Sequence, residues 1–266
     1  MNNARIYCLC LQDNLLEKVK KLNYLAVGLG QNEFSSEWIR DNTGENISTK
    51  NPFYGEYSFH YWMWKNEIDN IPDNTWIGFC TYRRFWSNKK NENSKIIFEK
   101  VLNEIPNEWN EYDVILGDRQ NVEGIKWMKV LKYGKTAILK NPKAIFKKNR
   151  NLKFNFDLFH GVGILDRAIA LLDDENKSDF EEYVNNNRSF NQVNMFISKS
   201  KTLIKNYYTT IFNWLNKCEK IFGFNLEGYS KIRIYAFLAE RFMSYWFNKN
   251  AKTLEWPIIF HDLSKD

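Results

Sequence analysis

The stretch Trp76–Trp86, which reads WIGFCTYRRFW, organises the interpretation of the whole chain. It opens with Trp76–Cys80, a short apolar run of the kind that is typical of a strand buried on both faces of a sheet. Tyr82, Arg83 and Arg84 follow at the point where this strand would leave the sheet. Because ligands of open α/β sheets bind at such edges, this stretch predicts both a buried strand and a binding site at its end.

The adjacent arginines indicate an anion site. Guanidinium presents a rigid fork of donors that matches phosphate oxygens, and each charge-assisted hydrogen bond contributes about 1.5 to 3 kcal/mol when partly desolvated. A paired-arginine turn at a strand end therefore suits a diphosphate. A structural alternative stays open, in which one arginine pairs with a carboxylate at the edge of the core and the other is solvated.

Composition narrows the class of protein. At 266 residues the chain is long enough to bury a large core, and we expect one compact unit. Apolar residues make up 44% and charged residues 26%, which excludes a disordered protein, while 17% aromatic residues suit stacking on bases or sugars. The net charge of +6 fits an anionic small substrate, an anionic membrane surface or nucleic acid.

The amino-terminal sequence and the cysteines bear on compartment. The first residues, MNNARIYCLCLQDN, hold too few apolar residues for a signal peptide, and no run approaches the roughly 18 of a membrane span. We therefore expect a cytoplasmic protein. Cys8, Cys10, Cys80 and Cys218 lack C-x-x-C spacing, so we expect buried free thiols and no structural zinc site.

Apolar periodicity predicts alternating strands and helices. The predicted strands are 5–11, 24–30, 76–80, 112–116 and 195–197, and the predicted helices are 14–22, 95–105, 204–222 and 230–248. A further helix is expected to start with Asn51 as its N-cap and Pro52 at its first position. The opening strand, helix and strand are consistent with a nucleotide-binding half, although the phosphate-binding G-x-G-x-x-G pattern is absent.

Two polar features and one basic segment are candidate binding elements. Asp41, Asn42, Thr43 and Asn46 fall within eight residues, where they hold ribose or sugar hydroxyls or simply form an Asx-turn loop. Asn194 opens the strand at 195–197 and places an amide at the binding edge or bend of the sheet. Residues 117–151 are basic, and three interpretations stay open: a nucleic-acid footprint, a loop over an acceptor or near lipid phosphates, and a solvated face.

Two sets of residues are candidates for acid–base chemistry. Glu240 lies at the margin of the apolar stripe of the last helix, nearly in line with Arg233, and a half-buried carboxylate there would have a pKa raised towards the general-base range. An ordinary ion pair with Arg233 or Arg241 explains it equally. Asp157 and His160 are the rival pair, which either share a site or support a turn at Gly161.

Several motifs, matching in order, resemble a family of bacterial glycosyltransferases that build capsular polysaccharide and O-antigen, whose domain was long catalogued as one of unknown function. The motifs are DNTGENIS-x-x-NP-x-x-x-E (Asp41 to Glu56), YW-x-WKN (Tyr61 to Asn66), I-G-x-C-x-YRR-F (Ile77 to Phe85), NMFI (Asn194 to Ile197) and AFLAERF (Ala236 to Phe242). The family commonly has His before Tyr-Arg-Arg, whereas this chain has Thr81, so no role of that histidine carries over. Residues 117–153 match poorly.

The resemblance implies an α/β, GT-A-like fold: a nucleotide-sugar-binding mixed sheet flanked by helices, with a helical carboxyl-terminal part. Residues 1–120 would form the donor-nucleotide half of a single domain, and residues 121–266 the acceptor side and the last helices. Carried over by position, Tyr82, Arg83 and Arg84 would approach the donor diphosphate, Asp41, Asn46 and Asn51 would line the donor side, and Asn194 would sit beside the sugar.

The resemblance also implies the reaction. The donor would be UDP-galactofuranose, as for some members, and the acceptor a hydroxyl of a growing, lipid-linked capsule or O-antigen glycan, with inversion and with peripheral contact at the cytoplasmic face of the inner membrane. Other UDP- or GDP-sugars are the rival donors. The competing class is a non-catalytic, basic and aromatic-rich protein that binds nucleic acid by stacking; the family reading involves no nucleic acid.

Most GT-A enzymes hold a divalent metal with an Asp-x-Asp pair. No such pair stands at a predicted strand end here, since Asp113 is alone and Asp173-Asp174 follows a helix. No cofactor is therefore evident, and we hypothesise that Arg83 and Arg84 replace much of the work of the metal, with manganese or magnesium as the alternative.

Overall fold

The computed structural model describes residues 3–91, 93–125, 128 and 135–265. Five basic or aromatic residues of the basic segment 117–151 lie outside the described residues; they are Lys126, Trp127, Lys129, Lys132 and Tyr133. The strands are β1 (Ala4–Cys10), β2 (Leu25–Gly28), β3 (Ile39–Arg40), β4 (Trp76–Thr81), β5 (Arg84–Trp86), β6 (Val114–Gly117), β7 (Arg119–Asn121), β8 (Ser189–Asn191), β9 (Phe196–Ser198), β10 (Thr253–Trp256) and β11 (Ile258–Phe260).

The α-helices follow the apolar periodicity of the sequence more closely at the carboxyl-terminal end than in the first half. They are α1 (Leu16–Lys21), α2 (Asn51–Tyr54), α3 (Tyr57–Trp62), α4 (Ile97–Lys100), α5 (Lys135–Lys140), α6 (Leu152–His160), α7 (Ile164–Ile169), α8 (Asp174–Asn186), α9 (Lys201–Phe222), α10 (Tyr229–Ile232) and α11 (Ile234–Asn250). A π-helical turn, Met63–Glu67, continues α3.

The central sheet is mixed. Its order is β10-β6-β9-β4-β1-β2-β3, and β5 links β4 to β11. Strands β1 to β4 run parallel, as do β6 and β10, whereas β9 runs antiparallel between β4 and β6. The prediction of a mixed α/β sheet flanked by helices, with a helical carboxyl-terminal part, is confirmed.

Both faces of the sheet are covered because successive side chains on each strand point to opposite sides. On β1, Tyr7 and Leu9 pack into a core with the aromatic and aliphatic residues of α3, α9 and α11. Ile6, Cys8 and Cys10 face the other way, into a core with residues of α1 and several tryptophans. The strands lie between two helical or irregular layers, which explains why they read as continuous apolar runs.

All four cysteines are free and buried, as the sequence analysis predicts. His60, on α3, is also fully buried; its Nδ1 lies 2.8 Å from the Tyr208 hydroxyl, and burial lowers the pKa of His60 to about 3. It is therefore a neutral core histidine.

Two helix predictions were wrong in detail. Only 97–100 of the predicted 95–105 helix is helical, because Val101 pairs with Ser87 in a β-bridge and the chain turns back to the sheet. Asn51 does not cap its helix: it is the first residue of α2, and its amide donates to the Gly55 carbonyl and the Ser58 hydroxyl. Gly55, at φ +55°, then separates α2 from α3.

Gly78 carries a testable packing constraint in β4. A Cβ at this position would lie 2.6 Å from Ile6 Cδ1 and 2.7 Å from Ile197 Cγ1, on the two neighbouring strands. We expect Gly78→Ala to lower the free energy of unfolding by about 1 to 3 kcal/mol, because overpacking forces those side chains to shift. Thermal unfolding would measure this. Gly124→Ala, which meets nothing within 4 Å, is the control and should change little; equal stability of the two variants would contradict the packing argument.

Candidate functional site

A cleft opens where the carboxyl ends of the parallel strands meet. Strands β1, β2 and β4 end at this edge. Because β9 is antiparallel to β4, the amino end of β9 lies at the same edge. Asn194, just before β9, therefore comes close to Tyr82, Arg83 and Arg84, which follow β4 and are called the arginine turn. The topology therefore assembles at one edge residues that are more than a hundred positions apart in the chain.

Two adjoining pockets form the cleft. The polar pocket, of about 280 Å³, is lined by Glu56, Thr81, Arg83, Arg84, Val193, Asn194, Arg233, Ala236, Phe237, Glu240 and Phe260. The leucine pocket, of about 180 Å³, is lined by Leu9, Leu11, Leu29, Asn51, Pro52, Gly55, Glu56, Thr81, Tyr82, Arg83 and Arg233. Because four residues line both, Glu56, Thr81, Arg83 and Arg233, the two pockets are continuous.

The arginine turn is held from the carboxyl-terminal end of the chain. Strand β11 pairs with β5, and beyond it the backbone N–H groups of His261 and Leu263 donate to the carbonyls of Arg83 (3.2 Å) and Tyr82 (3.1 Å). The Arg84 guanidinium carbon lies 4.1 Å from the centroid of the Phe260 ring. The last strand thus positions both the backbone and one side chain of the turn.

The two arginines present positive charge to the cleft. Among the described residues, neither Arg83 nor Arg84 forms an ion pair with a carboxylate, so the structural alternative of pairing at the core edge is not what the fold adopts. Burial, together with the charge of Arg83, lowers the pKa of Arg84. The two close cations give this side of the cleft a positive potential, and alongside the hydrogen bond from Ser264 the charge of Arg83 also helps to lower the pKa of the Asp262 carboxyl.

Glu240 lies on α11 at the wall of the polar pocket. Its side chain is 14% exposed. The backbone N–H of Val193 donates to Oε1 at 2.6 Å, and the Arg241 guanidinium donates to Oε2. Burial raises the pKa of Glu240, while Arg241 and the Val193 N–H oppose the shift. The carboxylate is therefore oriented by two donors at the cleft and is more basic than an exposed glutamate.

The backbone facing Glu240 is strained. Val193 has φ +70° and Asn194 has φ +51°. A β-branched residue in the left-handed region is a genuine outlier, and such residues cluster at functional sites at a cost of about 1 to 3 kcal/mol each. The strained turn aims the Val193 N–H at Glu240, which compensates part of this cost.

Asn194 has an unused acceptor. Its side chain is 6% exposed and its Nδ2 donates to the Ala236 carbonyl at 3.3 Å. Its Oδ1 is buried and has no hydrogen-bond partner among the described residues. A buried acceptor without a hydrogen-bond partner costs about 1 to 3 kcal/mol. The Oδ1 of Asn194, at the wall of the pocket, is therefore suited to accept a hydrogen bond from a ligand hydroxyl.

Glu56 and Arg233 form an ion pair across the cleft, with 3.2 Å between Oε2 and Nη2. The Arg233 guanidinium lies against Gly55, where a Cβ would come within 2.2 Å of Nη2. The glycine that ends α2 thus leaves room for the arginine of α11. Of the two ion pairs that the sequence left open for Glu240, the one with Arg241 forms, whereas Arg233 pairs with Glu56.

Comparison with known proteins places this fold. The model of a domain of unknown function, DUF4422, matches residues 5–251. The chain belongs to this family. Among solved structures, the chain is similar to the apo structure of WbbM, a bifunctional glycosyltransferase, with a TM-score of 0.65 and 21% identity over 97% of this chain. The match covers 45% of WbbM, so the chain spans less than half of that protein. The curated proteins contain no match.

Six of the residues predicted for the site meet in this DUF4422 cleft, contributed by both predicted halves of the chain. They are Asn51, Tyr82, Arg83, Arg84, Asn194 and Glu240. Asp41 and Asn46 do not line either pocket. The Asp41 carboxylate is buried and accepts from the Gly30 N–H (2.8 Å) and the Ser58 hydroxyl (2.5 Å), so it joins the end of β2 to α3 beneath the cleft.

Asn46 belongs to a surface turn. Its Oδ1 accepts from the backbone N–H (3.2 Å) and hydroxyl (2.7 Å) of Ser48, and its amide donates to the Gly44 carbonyl. This is the Asx-turn alternative that the polar loop left open. Its contacts explain its position without a ligand.

Asp157 and His160 lie in the last turn of α6, which ends at His160 and is followed by α7. The Asp157 carboxylate accepts from the Gly163 N–H at 2.9 Å, and burial raises the pKa of Asp157. The His160 ring stacks on Phe237, with 4.0 Å between centroids, and Phe237 lines the polar pocket. The pair therefore lies behind the aromatic wall of the cleft.

Sequence reasoning missed four cleft residues as site residues: Glu56, Thr81, Arg233 and Phe237. Glu56 and Phe237 fall inside the motifs that carry the family resemblance, so the motifs themselves were the available signal. Arg233 stands just before α11 and had no local signal of its own. Thr81, at the end of β4, is displayed to both pockets because a strand's last side chain projects at the sheet edge.

The residues of the cleft do not fit a divalent metal site of the Asp-x-Asp kind. Within 3–91, 93–125, 128 and 135–265, no three His, Cys, Asp or Glu side chains converge as metal ligands would. The two carboxylates of the polar pocket, Glu56 and Glu240, are each paired with an arginine.

Among the residues that the structure describes, every helix is too short or too polar to cross a membrane.

Proposed function

We propose that this chain is a glycosyltransferase that moves a sugar from a nucleotide-sugar donor to an acceptor hydroxyl. The observation that carries the proposal is the position of Arg83 and Arg84, neither of which forms an ion pair with a described carboxylate: Arg83 lines both pockets, and Arg84 lines the polar pocket. A nucleotide sugar likewise joins a flat base and a ribose to a polar sugar through a diphosphate. The fold shared with WbbM supports the reaction class.

The two pockets provide the parts of a donor site. The leucine pocket offers Leu9, Leu11, Leu29 and Tyr82 for the base and ribose. The arginine pair would hold the diphosphate through forked, charge-assisted hydrogen bonds. The polar pocket would receive the sugar, where the unpaired Oδ1 of Asn194 would accept from a sugar hydroxyl.

Glu240 would act as the general base. The acceptor hydroxyl would lose its proton to Glu240 while its oxygen bonds to the anomeric carbon, and the bond from that carbon to the diphosphate oxygen would break. Arg83 and Arg84 would stabilise the negative charge that develops on the leaving nucleoside diphosphate. One displacement from the face opposite the leaving group inverts the anomeric centre, and the pair Asp157 and His160 would support the Phe237 wall.

The proposed donor is UDP-galactofuranose, and the proposed acceptor is a growing, lipid-linked glycan of a capsule or O-antigen, at the cytoplasmic face of the inner membrane. The motif resemblance supports these choices, and another UDP- or GDP-sugar is the main rival. We also propose that the donor is bound without a divalent metal, since the cleft offers arginines rather than free carboxylates for the diphosphate.

A thermal-shift panel of UDP, GDP, CDP and dTDP tests donor class and metal dependence together. We expect UDP to raise the unfolding temperature by roughly 5 to 10 °C at a hundred times its dissociation constant, since this occupancy adds about 2.7 kcal/mol and each kcal/mol moves the midpoint of a chain this size by about 2 to 4 °C. The shift should be the same in EDTA and in manganese, as should transfer of the sugar.

The outcomes separate the alternatives. A shift with GDP instead of UDP would replace the donor. Loss of activity in EDTA with rescue by manganese would overturn the metal-free proposal. No shift with any nucleotide, alongside strongly salt-dependent binding to polynucleotide, would favour the nucleic-acid-binding class instead.

A further inference from the structure

A basic and apolar surface lies away from the cleft, in the part of the chain that matches the family motifs poorly. Residues 124–156 contain ten Lys and Arg and no Asp or Glu. The whole chain has 38 basic and 32 acidic residues, so outside this segment 28 basic residues stand against 32 acidic ones, a formal charge of −4. The positive surplus of the protein therefore comes from this one segment.

Large apolar side chains are exposed in the same segment. Leu139 is 80% exposed, Phe146 63% and Ile145 40%. Lys143, Lys147 and Lys148 flank the last two and are also exposed, and within the described residues none of the three forms an ion pair. We name Leu139, Lys143, Ile145, Phe146, Lys147 and Lys148 the docking surface.

The docking surface is supported from behind. Ala137 and Ala144 are buried and pack on Phe154 and Leu158 of α6. Leu139, two positions after Ala137, points the other way because successive residues of an α-helix are about 100° apart. Residues 137–148 thus have a packed inner face and an apolar, cationic outer face.

Arg150 fixes the shape of this segment. Its side chain is fully buried, and its guanidinium donates to the carbonyls of Ala144 (Nε, 3.0 Å) and Ile125 (Nη1, 2.8 Å). These bonds tie the turn at Ala144 to Ile125, near the start of the segment. Ile145 and Phe146 are therefore presented by a braced turn, so their exposure is a property of the fold.

We infer that the docking surface binds the surface of an anionic lipid bilayer. Lysines beside exposed Leu, Ile and Phe are the pattern of interfacial membrane binding, in which the apolar side chains enter the headgroup boundary and the lysines meet lipid phosphates. Exposed aliphatic side chains favour a bilayer over nucleic acid, which is bound by cations and stacked aromatic rings.

The same helix connects the docking surface to the cleft. Phe154 and Leu158 of α6 support the docking surface, and His160 at the end of α6 stacks on Phe237 in the wall of the polar pocket. The nine residues of α6 span about 14 Å. Binding of this surface to a bilayer would place the cleft beside the headgroups, where a lipid-linked acceptor is presented. Vesicle binding itself requires neither donor nor acceptor.

Sedimentation of the full chain with vesicles tests the inference. We expect it to bind an equal mixture of phosphatidylcholine and phosphatidylglycerol, and to release it as salt is raised, while phosphatidylcholine alone binds weakly. The double variant Ile145→Ser and Phe146→Ser should bind at least tenfold more weakly, because its apolar anchors are lost. Ile221→Ser is the matched control, since Ile221 is 52% exposed on α9, and it should bind like the unmodified chain.

Charge is tested in parallel. Lys147→Ala with Lys148→Ala should weaken binding roughly tenfold or more, since each lysine near an anionic surface strengthens binding about fivefold. Lys217→Ala with Lys220→Ala, two exposed lysines three positions apart on α9, should have no effect. UDP-induced thermal shifts of the variants report separately on the cleft. Loss of vesicle binding with an unchanged UDP-induced shift would therefore support membrane binding by the docking surface, independently of the function of the cleft.

Two results would overturn the inference. The first is absence of binding to the mixed vesicles by the unmodified chain. The second is binding to polynucleotide that requires Lys147 and Lys148 but is indifferent to Ile145 and Phe146, which would make this surface a nucleic-acid site.

Discussion

Replacing Arg83 and Arg84 together by alanine is expected to lower kcat/KM for the nucleotide-sugar donor by roughly 10²- to 10⁴-fold. Each charge-assisted hydrogen bond to a phosphate contributes about 1.5 to 3 kcal/mol, and about 1.4 kcal/mol corresponds to a factor of ten. Arg83 is exposed and Arg84 half-buried against Phe260, so the fold should tolerate the change. Initial rates at several donor concentrations would measure it.

Two further variants show whether the loss reflects the diphosphate. Lysine at both positions keeps the charges but loses the fork of donors, so it should recover part of the activity and no more. Arg188→Ala removes an arginine that pairs with Glu123 outside the cleft and should leave kcat/KM within about twofold, as for most exposed ion pairs. If the kcat/KM of the double alanine variant stayed within fivefold of that of the unmodified chain, the proposed role of the two arginines would be contradicted.

Glu240→Gln is expected to lower kcat by roughly 10²- to 10⁴-fold, the usual contribution of a general base, with little change in KM. Glutamine has the shape of glutamate and keeps an oxygen that accepts from the Val193 N–H, but it cannot take a proton from the acceptor hydroxyl. Thermal unfolding would establish that the variant is folded. A folded variant with near-normal turnover would remove Glu240 from this role.

The pH profile distinguishes a base from a merely structural carboxylate. Because burial raises the pKa of Glu240, the acidic limb of kcat should lie above the usual glutamate pKa of about 4.3. The sign follows from the chemistry: as pH falls through the raised pKa, Glu240 gains a proton and activity is lost. In the glutamine variant this limb should disappear.

Two controls address the other carboxylates near the cleft. Glu56→Gln weakens the pair with Arg233 and removes a negative charge that raises the pKa of Glu240, so it should raise KM more than it lowers kcat and move the acidic limb of kcat to lower pH. Asp157→Asn tests the rival pair, whose carboxylate bonds to the Gly163 N–H behind Phe237. A loss of kcat and of the acidic limb in Asp157→Asn, with both kept in Glu240→Gln, would transfer the base to Asp157.

The local sequence predicted five of the eleven described strands, because a buried strand needs a run of apolar side chains, whatever lies beside it; β3, β5, β7, β8, β10 and β11 were not predicted. β1, β2, β4, β6 and β9 each fall at or within two residues of such a run. The first half of the chain was predicted less well where tertiary contacts override helix periodicity. Only part of the predicted 95–105 helix forms, because Val101 pairs with Ser87 in a β-bridge. Gly55 separates α2 from α3 and leaves room for the side chain of Arg233.

The sequence by itself determined the parts of the site that depend on a strand end. Arg83 and Arg84 follow β4 and Asn194 precedes β9, so an edge of the sheet was the expected place for both. Only the tertiary structure decided their partners. The pairing of Glu56 with Arg233, the strained Val193 turn that bonds Glu240, and the last strand that holds the arginine turn each join residues far apart in the chain. Such contacts arise from the packing of the sheet and helices. Local periodicity predicts which face of an element is buried, but it does not predict which distant side chain will contact that face.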